Sequence, residues 1–73
     1  MTEKALLEKA KKVQNGIVRV SYRPKCDFCG KEAIIDGKTR FGPWAYMCPS
    51  HFAVHGVGLG LGKGQFLLLV EEE

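Results

Sequence analysis

Two short pairs of donor side chains constrain this chain more than anything else in it. Cys26-Asp27-Phe28-Cys29-Gly30 carries a C-x-x-C pair, and Cys48-Pro49-Ser50-His51 carries a C-x-x-H pair after eighteen intervening residues. Two residues between partners let a tight turn aim both side chains at one point, and the long gap lets the chain run out and return. Three thiols and one imidazole so arranged are the donor set of a closed tetrahedral Zn²⁺ site. Cys26, Cys29, Cys48 and His51 are therefore the expected ligands. Three cysteines, two of them in C-x-x-C, fit a metal better than disulfides. His55 leaves an alternative open: His51 and His55 are spaced i, i+4, so both would share one helix face and would free Cys48. The matched spacing of the two pairs favours Cys48.

A chain of 73 residues has room for one domain. At that size a hydrophobic core supplies only about 3–5 kcal/mol, whereas a structural zinc contributes roughly 10–16 kcal/mol of apparent binding energy at neutral pH. Metal is expected to decide whether the chain folds. The formal charge is +3, and three of the acids sit together as Glu71-Glu72-Glu73, so the rest is more basic than the total. That balance permits a nucleic-acid or acidic-protein partner without requiring one. Met1-Thr2-Glu3-Lys4 lacks a basic stretch ahead of an apolar core, so no secretory leader is expected. The apolar run from Phe66 to Val70 is too short to span a bilayer, so no membrane partner is expected. Cysteine usage and these absences together predict a reducing, cytoplasmic setting.

The remaining pattern predicts an α+β domain with an N-terminal helix (segment 1–15), a zinc module (24–56), a glycine-rich loop (57–64) and a C-terminal strand (65–70). Thr2 can cap a helix reaching to about Gln14, with Leu6, Ala10 and Val13 as its apolar stripe and Asn15-Gly16 as its stop. Lys9, Lys11 and Lys12 are either an ordinary solvated face or a phosphate-contacting one. Residues 17–23 alternate as a strand, with Val18, Val20 and Tyr22 on one face. Arg19, Arg23 and Lys25 either keep an exposed sheet face soluble, the preferred reading, or line a basic partner-binding edge. Asp36-Gly37 between β-formers reads as a hairpin turn. Its return strand runs through Arg40-Phe41 and residues 44–47, broken at Gly42-Pro43. Trp44 and Tyr46 share a face and are expected in the core, with base stacking as the other reading. Phe28 is expected to shield the metal. Residues 65–70 should pair with 17–22, with the sheet as a whole small and antiparallel. The acidic tail is expected to be solvated.

Glycine alternates with other residues from Gly56 to Gly64. The stretch matches neither a P-loop nor a dinucleotide-binding glycine pattern. It is either a surface that lets a partner approach closely, with Leu59, Leu61 and Lys63 supplying apolar contact and charge, or a tight connector with both leucines buried.

Knuckle, hairpin and a short helix bearing the second ligand pair follow the order of a treble-clef finger, which the segment around Cys26, Cys29, Gly30, Cys48 and His51 resembles. From Cys26 to Gln65 the chain also resembles small zinc-finger proteins encoded by bacteriophages. The pieces that carry this are the Cys-x-x-Cys-Gly knuckle, Asp36-Gly37-Lys38-Thr39, the run from Gly42 to Cys48, His51-Phe52, and the stretch from Gly58 to Gln65. That resemblance implies an accessory protein acting in a host cytoplasm and supplies no catalytic assignment.

Four protein ligands leave no open coordination position for water, and there is no zinc-deaminase motif, so no enzymatic activity is expected. Two functions remain. In a nucleic-acid-binding module, Lys25, Lys31, Lys38, Arg40 and Lys63 contact phosphates while Trp44 or Tyr46 stacks. In a protein-interaction module, with another protein or a second copy as the partner, the segment around Leu59 and Leu61 forms the contact. The first is preferred.

Overall fold

The computed structural model describes residues 2–70; Met1 and the acidic tail, 71–73, lie outside the described residues. Helix α1 spans Glu3–Lys11, and the Oγ1 of Thr2 accepts a hydrogen bond from the Ala5 amide at 3.1 Å, as a capping threonine should. The helix stops short of Gln14. The Lys12 amide reaches back to the Lys9 carbonyl at 3.1 Å, tightening the last turn, and Asn15 takes the left-handed conformation at φ 57°. Gly16 has no room for a side chain, because a Cβ there would meet the Ala10 carbonyl and Val13.

Four strands follow: β1 Ile17–Val20, β2 Ile35–Lys38, β3 Trp44–Met47 and, after helix α2 (Pro49–His55), β4 Gly64–Leu69. Their order across the sheet is β1-β4-β2-β3. The expected partnership of the last strand with the first is present, but it is parallel, with Ile17 beside Phe66 and Val20 beside Leu69. The sheet is therefore mixed, correcting the antiparallel expectation. A parallel pair needs a long crossover between its strands, and here the ligand loops, β2, β3 and α2 provide it.

Asp36-Gly37 is not a turn. Both residues lie inside β2, and the β2–β3 connection is made by residues 39–43. The Thr39 amide and hydroxyl both donate to the Pro43 carbonyl, at 3.0 and 2.7 Å, and Gly42 supplies the left-handed position at φ 113°. Gly37 is needed for another reason. It faces Gly64 on β4, and a Cβ on it would come within 3.3 Å of the Gly64 Cα. Arg40 and Phe41 belong to the connection, so the return strand begins only at Trp44.

Both helices cover one face of the sheet, where Leu6 and Ala10 of α1 and Phe52 of α2 pack with Ile34, Ile35, Met47 and Phe66. The other face is left open. Trp44 and Tyr46 fall on it, at 50% and 41% exposure, because Ala45 and Met47 take the inward positions of β3. Their expected place in the core is thus corrected. Tyr22 lies beyond the end of β1 and is exposed. Arg23 departs from expectation in the opposite direction. Its side chain is 7% exposed, bonded to Glu3 at 3.0 Å and Glu32 at 2.9 Å, and its Nε donates to the Leu67 carbonyl at 2.9 Å. One guanidinium thereby ties the start of α1, the ligand loop and β4 together.

The glycine-rich segment folds on itself as a loop. Gly58, Gly60 and Gly62 adopt φ of 144°, 115° and 78°, values that side chains resist. The Gly60 amide donates to the Gly64 carbonyl at 2.8 Å, and the Lys38 amide docks on the Lys63 carbonyl at 2.8 Å. Leu59 packs against the core, but Leu61 is 68% exposed.

Candidate metal centre

The first ligand pair sits on a turn closed by its own backbone. The Cys26 amide donates to the Lys31 carbonyl at 2.6 Å, and the Gly30 amide to the Cys26 carbonyl at 2.9 Å. Gly30 makes the turn possible at φ 78°. Cys48 is the N-cap residue of α2, with Pro49 at the first helical position and His51 in the first turn. Because β3 ends at Met47, its antiparallel pairing with β2 sets where Cys48 starts the helix.

These elements bring Cys26, Cys29, Cys48 and His51 together. One ligand atom from each lies within 4.8 Å of all the others. The Sγ atoms of Cys29 and Cys48 are 3.7 Å apart, and the Nδ1 of His51 is 3.3 Å from Cys48 Sγ and 3.8 Å from Cys26 Sγ. The cysteines are free thiols. Such a group is close enough to bind a metal ion. Cys26 and Cys48 are buried, His51 is half-buried and Cys29 is exposed.

Burial disfavours the Cys26 thiolate, but the amides of Cys48, Phe28 and Cys29 outweigh it and hold its pKa below the usual thiol value; the Phe28 amide lies 3.5 Å from the sulfur. At Cys29 the Lys31 amide favours the thiolate, yet partial desolvation by its surroundings and the neighbouring Cys26 and Cys48 prevail and raise the pKa. Sulfurs crowded at these distances resist ionising together, and a cation at their centre removes that resistance.

His55 lies outside the four-residue group. Its ring stacks on Phe28 at 4.6 Å between centroids and meets the edge of Phe41 at 5.8 Å. Phe28 also stacks on the His51 ring at 5.4 Å. The structure thus gathers Cys48 with the other donors and places His55 in an aromatic cover beside them.

Asp27 had no sequence signal beyond its place between the cysteines. Its amide donates to the Tyr46 carbonyl at 2.9 Å, and the Tyr46 amide donates to its Oδ2 at 2.8 Å. The knuckle is thereby bonded to the outer edge of β3.

Of the residues expected to meet a partner, Lys38 and Trp44 are register neighbours on β2 and β3, and Lys63 lies beside Lys38 through their backbone bond. Arg40 is exposed in the 39–43 connection, and Leu61 is exposed on the glycine-rich loop. No helix among the described residues is long and apolar enough to cross a membrane. No protein-family model, curated protein or solved structure matches the chain.

Proposed function

We propose that this chain is a structural-zinc module that binds single-stranded nucleic acid across its open sheet face. The donor chemistry supports zinc. With Zn–S bonds of about 2.3 Å, a regular tetrahedron separates its sulfurs by about 3.8 Å, against 3.7 Å between Cys29 and Cys48. Cys26, Cys29, Cys48 and His51 would fill all four positions, so the ion holds loops together and activates no water. Three thiolates and an imidazole also suit zinc better than magnesium or calcium.

The observation that carries the nucleic-acid reading is the pair of half-exposed aromatics, Trp44 and Tyr46, on one face of an edge strand with Lys38 beside Trp44. A sheet face with aromatic rings and flanking cations can stack bases and hold phosphates. The glycine-rich loop no longer needs a partner to explain it, since its own turns and the contact with Gly37 use its glycines. Protein docking there rests on exposed Leu61.

Fluorescence anisotropy with short single-stranded oligonucleotides between low and physiological salt tests this. Binding should weaken steeply as salt rises, and Trp44→Ala should weaken it about 10-fold with zinc content intact, the scale of one lost stacking contact. Absence of binding, or affinity indifferent to salt, would overturn the reading.

A further inference from the structure

The open face contains a trough of about 490 Å³ whose lining includes Val18, Tyr22, Tyr46 and Leu67 and the polar side chains of Arg19, Ser21, Asp36 and Gln65. Asp36 pairs in register with Tyr46 on β3 and with Gln65 on β4. The three side chains therefore stand in one row across three adjacent strands. Asp36 is an odd occupant of an inner strand, where aspartate is disfavoured. It is half-buried, and among the described residues no side chain or amide donates to its carboxylate and no cation pairs with it. Burial, and then the charge of Asp27, raise its pKa above the ordinary carboxylate value. The fold bears the cost of this carboxylate and satisfies it with nothing of its own.

We propose that this row is a guanine-recognition site for single-stranded nucleic acid, with the base stacked on Tyr46 and its Watson–Crick edge turned to Asp36 and Gln65. The inference rests on the nucleic-acid reading above and adds a base preference to it. Guanine is the base whose Watson–Crick edge sets two donors, N1–H and the N2 amine, next to an acceptor, O6. A carboxylate accepts from both donors at once, and the Gln65 carboxamide has an N–H for O6. Adenine and cytosine each place a ring acceptor next to their amine, and thymine or uracil flanks its one N–H with two carbonyls. Each of those edges would set lone pairs against the Asp36 carboxylate. Bases in a single strand are free to present this edge.

The test compares a short oligothymidylate, the same strand with one central guanine, and the same strand with inosine there, which lacks the N2 amine. A matching oligouridylate series covers RNA. The guanine strand should bind about 10-fold tighter than the homopolymer, with inosine between them, in either the DNA or the RNA series. Asp36→Asn, checked for zinc content and circular dichroism, should abolish the preference while leaving homopolymer binding at least as tight. Gln65→Glu, which turns a second carboxylate toward O6, should reduce the preference as well. Equal binding of all strands, or a guanine preference that survives Asp36→Asn, overturns this proposal and leaves the nucleic-acid reading standing. If no strand binds, the nucleic-acid reading falls, and this proposal falls with it.

Discussion

Asp27 and Tyr46 exchange two hydrogen bonds: the Asp27 amide donates to the Tyr46 carbonyl at 2.9 Å, and the Tyr46 amide donates to the Asp27 carboxylate at 2.8 Å. One partner sits between two cysteines of the candidate metal centre, and the other presents its ring on the open sheet face. The metal loop and the proposed binding face are therefore mechanically one piece. Asp27→Ala should cost about 1 kcal/mol of stability, the net worth of one such bond, while Asp27→Asn should cost less. Thermal midpoints of the loaded protein check this, and equal losses in the two variants would show that the Oδ2 contact contributes nothing.

Metal loss should unfold the domain. Chelation with EDTA, or Cys48→Ser, should remove the far-ultraviolet dichroism of the helices, whereas His55→Ala should keep full zinc stoichiometry by native mass spectrometry. This order follows from the proposal that Cys26, Cys29, Cys48 and His51 are the ligands, the four whose donor atoms the fold gathers. Full zinc binding by Cys48→Ser alongside loss in His55→Ala would identify a different ligand set.

The glycines should differ sharply in tolerance. A Cβ at Gly64 would come within 2.8 Å of the Gly58 carbonyl oxygen and 3.2 Å of the Gly37 Cα. Backbone atoms on two sides cannot give way, so Gly64→Ala should lose about 3 kcal/mol, the upper end of overpacking costs. Gly30 has open space around it and demands only a left-handed φ, so Gly30→Asn should stay within about 1 kcal/mol, asparagine being the side chain that best tolerates that region. Denaturant midpoints of the two variants decide.

Asp36→Asn should stabilise the loaded protein at neutral pH. The folded state raises the Asp36 pKa above its ordinary value of 3.8, so the native protein holds this proton more tightly than the unfolded chain does. Wild type consequently gains stability relative to the variant as pH falls through the raised pKa toward the unfolded one. The variant's advantage should shrink over that window. Acid competition for the thiolates acts on both proteins and cancels in the difference. A constant gap between the two stability curves across that range would remove the claimed burial effect.

The gathering of Cys26, Cys29, Cys48 and His51 and the short helix after Cys48 were legible because a metal-binding pattern fixes residue types and spacings locally. The N-terminal helix was legible from its cap and its apolar stripe. What misled was chemistry with two uses. Asp36-Gly37 carries the composition of a turn, yet Gly37 is required by the backbone of Gly64, a residue far along the chain. Trp44 and Tyr46 looked like core because a small domain usually needs its aromatics inside, but alternation gave the inward positions to Ala45 and Met47. Arg23 looked like surface because its partners, Glu3, Glu32 and the Leu67 carbonyl, converge only after the sheet has formed. The parallel pairing of β1 with β4 left no local trace at all, since strand direction in a sheet is set by the path between the strands.

The placement of β4 between β1 and β2 also bears on biosynthesis. On the ribosome, every donor of the metal cluster has been translated before residues 64–69 are made, so a nascent chain can capture its ion while the sheet still lacks its central strand. Until β4 emerges from the exit tunnel, β1 has no neighbour and one edge of β2 is bare. The interval between ion capture and strand insertion is when this polypeptide is most open to chaperones and proteases.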